Sequence, residues 1–238
     1  MSMFGKTDKG GNIMNFRVPT FFQTANGEDL EKINGQIKEN FLSTINWDEI
    51  DLFQSKWNPA IDTAYTTLGT EVINLIDHYG LEYLKDFIFK NVKDFLEYTE
   101  WAYDDLFIEQ SWSVFGAKGN VQGPHTHGYA SENSQIAGCY YADARQDPNG
   151  GRLHIEAPYC PKTGVTFPFG PKSQTYYAFD PVPGRIILFP AWMNHWVSPI
   201  YLEDYVRISI SFNITAHHGR PGRNTHGSGE LKDQITHA

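Results

Sequence analysis

The segment Tyr205-Val-Arg-Ile-Ser-Ile-Ser-Phe-Asn213 alternates polar and apolar residues without a break. In an extended chain Arg207, Ser209, Ser211 and Asn213 share one face, and Val206, Ile208, Ile210 and Phe212 share the other, because successive side chains of a strand point to opposite sides. Two readings follow. In an ordinary antiparallel sheet the apolar row faces the core and the polar row faces water. In a two-layered barrel the polar row faces an internal cavity. There Arg207 can grip a carboxylate with two parallel bonds, and Ser209 can donate another.

The neighbouring sequence has the texture of many short strands. Runs rich in Tyr, Phe, Ile and Val near 107–116, 136–142, 152–157, 175–179, 185–189, 195–198 and 205–214 are separated by Gly and Pro turns. No internal repeat of regular period is present. This spacing predicts a mainly β (α+β) domain of sandwich or jelly-roll type. Before residue 105 the period is helical. Asn26-Gly-Glu-Asp29 reads as a cap followed by Leu30, Ile33, Ile37 and Phe41. Val72, Ile76 and Tyr79 mark a second helix stopped by Gly80, and Leu84, Phe87, Ile88, Val92 and Phe95 mark a third. Their apolar stripes are expected to pack on the outside of the strands. One domain over 14–216 is expected, helical at 26–101 and barrel-like at 107–214, with flexible tails at 1–13 and 217–238.

Composition narrows the function classes. Of 238 residues 40% are hydrophobic and 20% charged, which excludes a disordered chain. No apolar run approaches the roughly 18 residues of a membrane helix. The net charge of −9 lacks the basic footprint of sequence-independent nucleic-acid binding. Met1-Ser-Met-Phe-Gly-Lys6 shows no secretory apolar region. Cys139 and Cys160 do not form a disulfide framework, and Cys139 reads as a small core hydrophobe. A cytoplasmic protein is expected.

Three further segments carry chemistry. In Gly123-Pro-His-Thr-His-Gly128, His125 and His127 stand two residues apart, a spacing that aims both imidazoles to one side of a strand and lets them share a metal. A solvated loop with two histidines is the plain alternative. The apolar strand Gly184-Arg-Ile-Ile-Leu-Phe-Pro190 is followed by His195, placed to complete a three-ligand facial site with open positions opposite. Ile136-Ala-Gly-Cys-Tyr-Tyr-Ala142 sends one tyrosine to each face. His217, His218 and His226 read as solvated tail residues.

Taken together, these motifs resemble the iron(II)- and 2-oxoglutarate-dependent oxygenases, in particular the prolyl-hydroxylase-like group. The order is His125-Thr-His127, Tyr140-Tyr141, Gly150-Gly151, Phe189-Pro190, His195-Trp-Val-Ser-Pro199 and Arg207-Ile-Ser209, spanning about 107–214. The resemblance implies a double-stranded β-helix (a cupin-like jelly roll). It implies Fe(II) on His125, His127 and His195, and 2-oxoglutarate with its far carboxylate on Arg207, Ser209 and the Tyr141 hydroxyl. O2 would then drive hydroxylation of a C–H bond, coupled to decarboxylation of 2-oxoglutarate to succinate. The usual second ligand of this family is a carboxylate, and His127 stands in its place. Three neutral imidazoles leave an ion more positive.

The cupins fit the same spacing. Gly119, His125, His127 and Glu132 follow their first motif, with Gly138 one residue early, and Gly184, Pro190 and His195 follow their second, with Trp192 in place of its last glycine. That reading puts His125, His127, Glu132 and His195 on one metal, as an isomerase or a cofactor-free dioxygenase. A non-catalytic module of the same fold is the third reading. Arg207-Ile-Ser209 favours the oxygenase. The expected partner is a small-molecule or peptide substrate, with a homodimer left open. Trp192, Trp196, Tyr129, Phe167 and Phe169 are candidates for the entrance.

Overall fold

The computed structural model describes residues 4–6, 12–14, 20–53, 60, 62–127, 134–156 and 176–217. In chain order the strands are β1 (Phe4–Lys6), β2 (Asn12–Met14), β3 (Phe21–Thr24), β4 (Tyr65–Thr66), β5 (Asp105–Gly116), β6 (Gln122–His125), β7 (Ile136–Asp143), β8 (Leu153–Glu156), β9 (Tyr176–Phe179), β10 (Arg185–Pro190), β11 (His195–Val197) and β12 (Arg207–His217). The helices are α1 (Gly27–Gln36), α2 (Leu75–His78) and α3 (Glu82–Tyr98).

Two sheets carry the architecture, a six-stranded one in the order β3-β10-β7-β12-β5-β4 and a four-stranded one in the order β6-β11-β8-β9. Their strand pairs are antiparallel. This is the double-stranded β-helix, with the helices on the outer face of the larger sheet. β12 is its centre, pairing with β5 along its whole length and with β7 on the other side.

The outer row of β12, Ile208, Ile210, Phe212 and Ile214, lies in one core with Ile33, Ile37, Phe41, Leu84, Ile88 and Phe95 of the helical segment. Each such side chain contributes about 1.5–3 kcal/mol on leaving water, so this contact welds helices to barrel. A second core between the sheets contains Tyr141, Leu153, Ile155, Ile187, Phe189 and Val197.

Local chemistry sets the helix ends. The Asn26 side chain accepts from the Asp29 N–H at 2.9 Å, and α1 then widens into one π turn at Ile37–Phe41 that keeps Ile37 and Phe41 buried. The second helix is shorter than its apolar spacing suggests. Asn74 caps it by accepting from the Asp77 N–H, so Val72 lies before its start, and Gly80 at φ +58° ends the turn. His217, read as tail, is the last residue of β12 and pairs with Asp105. His218 and His226 lie outside the described residues.

β6 was not legible as a strand because it contains Gly123 and Pro124. It is an edge strand of the four-stranded sheet, paired with β11 and joined by one isolated bridge from Gln122 to Asp62, and an edge tolerates a proline that cannot donate to a ladder. β3 is also an edge strand, mostly exposed, and lacks a buried face to give it a period.

Candidate metal centre and anion pocket

The antiparallel register of β6 and β11 sets His195 directly opposite His125. His127 follows one turn beyond β6, its backbone N–H bonded to the Ala191 carbonyl at 2.9 Å. The three imidazoles converge, with ring centroids 4.2 Å (His125–His195), 4.8 Å (His127–His195) and 5.4 Å (His125–His127) apart. One ligand atom from each lies within 4.8 Å of the others.

Their hydrogen bonds fix which nitrogen faces inward. Nδ1–H of His125 donates to the Gly123 carbonyl at 2.9 Å and that of His195 to the Met193 carbonyl at 3.0 Å. Nδ1–H of His127 donates to the Asn213 side-chain oxygen at 2.7 Å. An oxygen that can only accept requires a proton on Nδ1, which leaves the lone pair on Nε2. Burial lowers the pKa of all three rings. His127 falls to about 4 through burial and the nearby His125, against the opposing Asn213 bond. His195 falls well below the usual range through burial, His125 and His127, and His125 falls through burial. The trio is therefore neutral at pH 7, the state a metal ligand needs.

A cavity of about 490 Å³, part of it open to solvent, runs from these histidines to Arg207. Its floor is the inner row of β12, with Arg207, Ser209 and Ser211 in succession, and beside it Cys139 and Tyr141 of β7. No acidic side chain among the described residues lines it. Arg207 is 4% exposed. One guanidinium nitrogen, Nη1, donates to the Gly151 carbonyl at 2.7 Å, and Nε finds no partner. The ion pairs among the described residues do not include it.

The Gly-Gly turn now has a reason. Gly151 sits at φ +82°, and a Cβ there would come within 2.8 Å of Arg207 Nη1 and of Ile200. A Cβ on Gly116, opposite Arg207 in the β5 register, would lie 2.7 Å from Ile200. Gly151 thus makes room for the buried guanidinium and for Ile200, and Gly116 makes room for Ile200.

Ser209 is buried at the cavity wall, and Tyr141 presents its ring 6.0 Å from the Arg207 guanidinium. Tyr140 points the other way, its hydroxyl donating to the Asn34 side chain at 2.8 Å. Cys139 is half-buried, packs against the second core as expected, and also lines the cavity. Burial pushes this thiol up to about 12, so it is un-ionised. Trp196 is stacked on His154 at 5.1 Å, away from the cavity lining, and Trp192 is exposed without reaching that lining. Glu132, Tyr129, Phe167 and Phe169 lie outside the described residues, so the four-ligand cupin set is represented only by its histidines.

Three residues escaped the sequence reading. Asn213 holds His127, and Gln110 accepts from Asn213 Nδ2 at 3.3 Å. Asp62 is 1% exposed and accepts from the Ala64 N–H at 2.9 Å. Burial pushes its carboxyl up, against the Ala64 bond and the field of Arg207. Asn213 sat in the quoted alternation, but nothing in its spacing links it to His127. Asp62 lies in an irregular stretch with no pattern to flag it.

Residues 110–213 match the family model described as "Putative 2OG-Fe(II) oxygenase". No curated protein matches the chain. Among solved structures, a prolyl-4-hydroxylase from Pseudomonas putida aligns at TM-score 0.54 and 11% identity, covering 84% of this chain and 94% of that one. HygX from Streptomyces hygroscopicus, solved with nickel and 2-oxoglutarate bound, aligns at TM-score 0.52 and 12% identity over 84% and 83%. An oxidoreductase of the 2OG-Fe(II) oxygenase family from Burkholderia pseudomallei aligns over about half of each chain, 48% and 47%, at TM-score 0.37 and 16% identity. The chain resembles the 2OG-Fe(II) oxygenases in sequence over the barrel and in fold over most of its length.

Proposed function

We propose that this protein is an Fe(II)- and 2-oxoglutarate-dependent oxygenase. One observation carries the reading. A single cavity has three converging Nε2 lone pairs at one end and, at the other, a buried guanidinium that forms no ion pair among the described residues. A buried cation without a direct ion pair is costly, even with the Asp62 carboxyl in its field, and a ligand carboxylate offsets that cost. The cupin reading gives Arg207 no such task.

The residues fit the groups the family uses. His125, His127 and His195 would hold the ion through Nε2. The Arg207 fork would take the far carboxylate of 2-oxoglutarate, with hydroxyl donors from Ser209 and Tyr141. Iron, 2-oxoglutarate and O2, when bound, supply oxidation of a C–H bond coupled to decarboxylation of 2-oxoglutarate to succinate. The chain's own part is to bind and orient. Val114, Leu153, Phe189 and Val197 line the cavity and exclude water, which strengthens each polar contact inside. With no acidic side chain among the described residues that line it, the cavity favours an anionic co-ligand. The substrate is a small molecule or a peptide, and Fe(II) suits a cytoplasmic setting. Residues 14–216 act as one domain, since the helical core is built on the barrel's own sheet.

Anaerobic titration of the protein with Fe(II) and then 2-oxoglutarate tests the proposal. A visible charge-transfer band is expected on adding 2-oxoglutarate. Absence of the band, with the metal bound, rejects it in favour of a plain metal cupin. Absence of metal binding leaves only a non-catalytic module.

A further inference from the structure

The three histidines are not held alike. The Nδ1 bonds of His125 and His195 end on backbone carbonyls, which can only accept. That of His127 ends on a side-chain amide, which can present either its oxygen or its NH2. Something must orient it. Gln110 lies directly opposite Asn213 in the β5–β12 register, and its side-chain oxygen takes the Asn213 NH2 at 3.3 Å. That leaves the Asn213 oxygen for His127. Asn213 is 1% exposed, so water does not compete for it.

The amide has an electrostatic consequence. A carboxylate at this position would draw the Nδ1 proton and load negative charge onto the imidazole and any ion it held. The amide leaves the imidazole neutral. His127 stands where the resembling family has a carboxylate ligand, so Asn213 decides whether that lost charge returns from behind the ring.

We propose that Asn213, clamped by Gln110, is the positioning residue that makes His127 a metal ligand and keeps that ligand neutral. The site thereby gives up some grip on the metal and gains attraction for an anionic chelator. This deepens the oxygenase reading and rests on it.

The test is calorimetric titration of the full chain with Co(II), then of the Co(II)-loaded protein with 2-oxoglutarate. Asn213→Leu should weaken Co(II) about 10- to 100-fold, the usual cost of losing a partner behind a ligand. Asn213→Asp should do two opposite things: tighten Co(II) several-fold and weaken 2-oxoglutarate several-fold. A merely structural role would not split the two affinities. Should Asn213→Leu fail to fold, Gln110→Leu at a half-buried position frees the amide to turn. It should weaken Co(II) and move the ligand proton of His127 from Nδ1 to Nε2 in the 15N spectrum of the metal-free protein. Wild-type affinity for Co(II) in the Leu variants, or an Asn213→Asp change that moves both affinities the same way, overturns the inference alone. A wild-type protein that binds no Co(II) overturns the oxygenase reading together with it.

Discussion

At β12 the two faces of the six-stranded sheet are both largely buried, and they differ in what they pack against. On β12 the outer row, Ile208, Ile210, Phe212 and Ile214, packs among helix side chains. The inner row, Arg207, Ser209, Ser211 and Asn213, forms or supports the cavity. A polar row normally marks the solvent face of an antiparallel sheet. Here the second sheet covers it, so the same alternation separates a face packed on the helices from a face that lines the cavity. Polar groups buried on the inner row are held by hydrogen bonds, at a cost to stability that the outer row offsets.

The outer row should give the largest effect. Phe212 is fully buried and touches the space where a Cβ on Gly138 would sit. Phe212→Ala should cost about 3–5 kcal/mol in urea denaturation. A loss below about 1 kcal/mol would show that the helices do not hold the sheet.

The inner row should respond in the opposite sense. Arg207→Ala should weaken 2-oxoglutarate about 100-fold in the metal-loaded protein, the scale expected when a desolvated charge loses its partner. Arg207→Lys should recover little, because the fork geometry is gone. Stability should hold or rise, since the variant removes a buried cation without an ion pair. If Arg207→Ala instead unfolds the protein and leaves ligand binding intact, the two faces are not specialised.

The metal end adds a pH dependence. His127 sits near pKa 4 folded and near 6.5 in an unfolded chain. Between these values the unfolded state binds the extra proton, so stability is full above pH 6.5 and falls as the pH drops toward 4. From pH 6.5 to 5 the metal-free protein should lose about 1.6 kcal/mol through this one group. His127→Gln should flatten that slope; an unchanged slope would remove His127 from the buried trio.

Much of this was legible in the sequence for a physical reason. Strand alternation is local, so Arg207 and Ser209 could be placed on one face before any contact was known. His125 and His127 shared a face for the same reason, and a buried strand ending near His195 marked the third. What was hidden depends on distant chain meeting distant chain. Asn213 reaches back 86 residues to His127, and Gly151 is required because its φ is positive and Arg207 and Ile200 pass close to it. Gly123 and Pro124 disguised β6, although it carries His125. Trp196 looked like an entrance residue through its neighbour His195, but alternation turns it to the other face of β11.

The smallest test uses two adjacent residues. Tyr140 and Tyr141 differ in direction and in little else; both are buried. The Tyr140 hydroxyl donates to Asn34, whose own NH2 donates to the Ala142 carbonyl at 2.8 Å, tying α1 to β7. Tyr140→Phe leaves the Asn34 oxygen without that donor, and should cost about 1 kcal/mol of stability. It should leave 2-oxoglutarate affinity unchanged, since the lost hydroxyl lies on the helix side. The Tyr141 hydroxyl bonds to Cys139 within the cavity. Tyr141→Phe should leave stability within about 0.5 kcal/mol, since a thiol is a weak partner. Its 2-oxoglutarate affinity should fall several-fold, one neutral hydrogen bond being worth about 1 kcal/mol. Urea denaturation and ligand titration on the same two variants read both quantities. If the effects are exchanged, or fall equally on both residues, then one hydroxyl serves both layers and the separation of the two faces fails at β7.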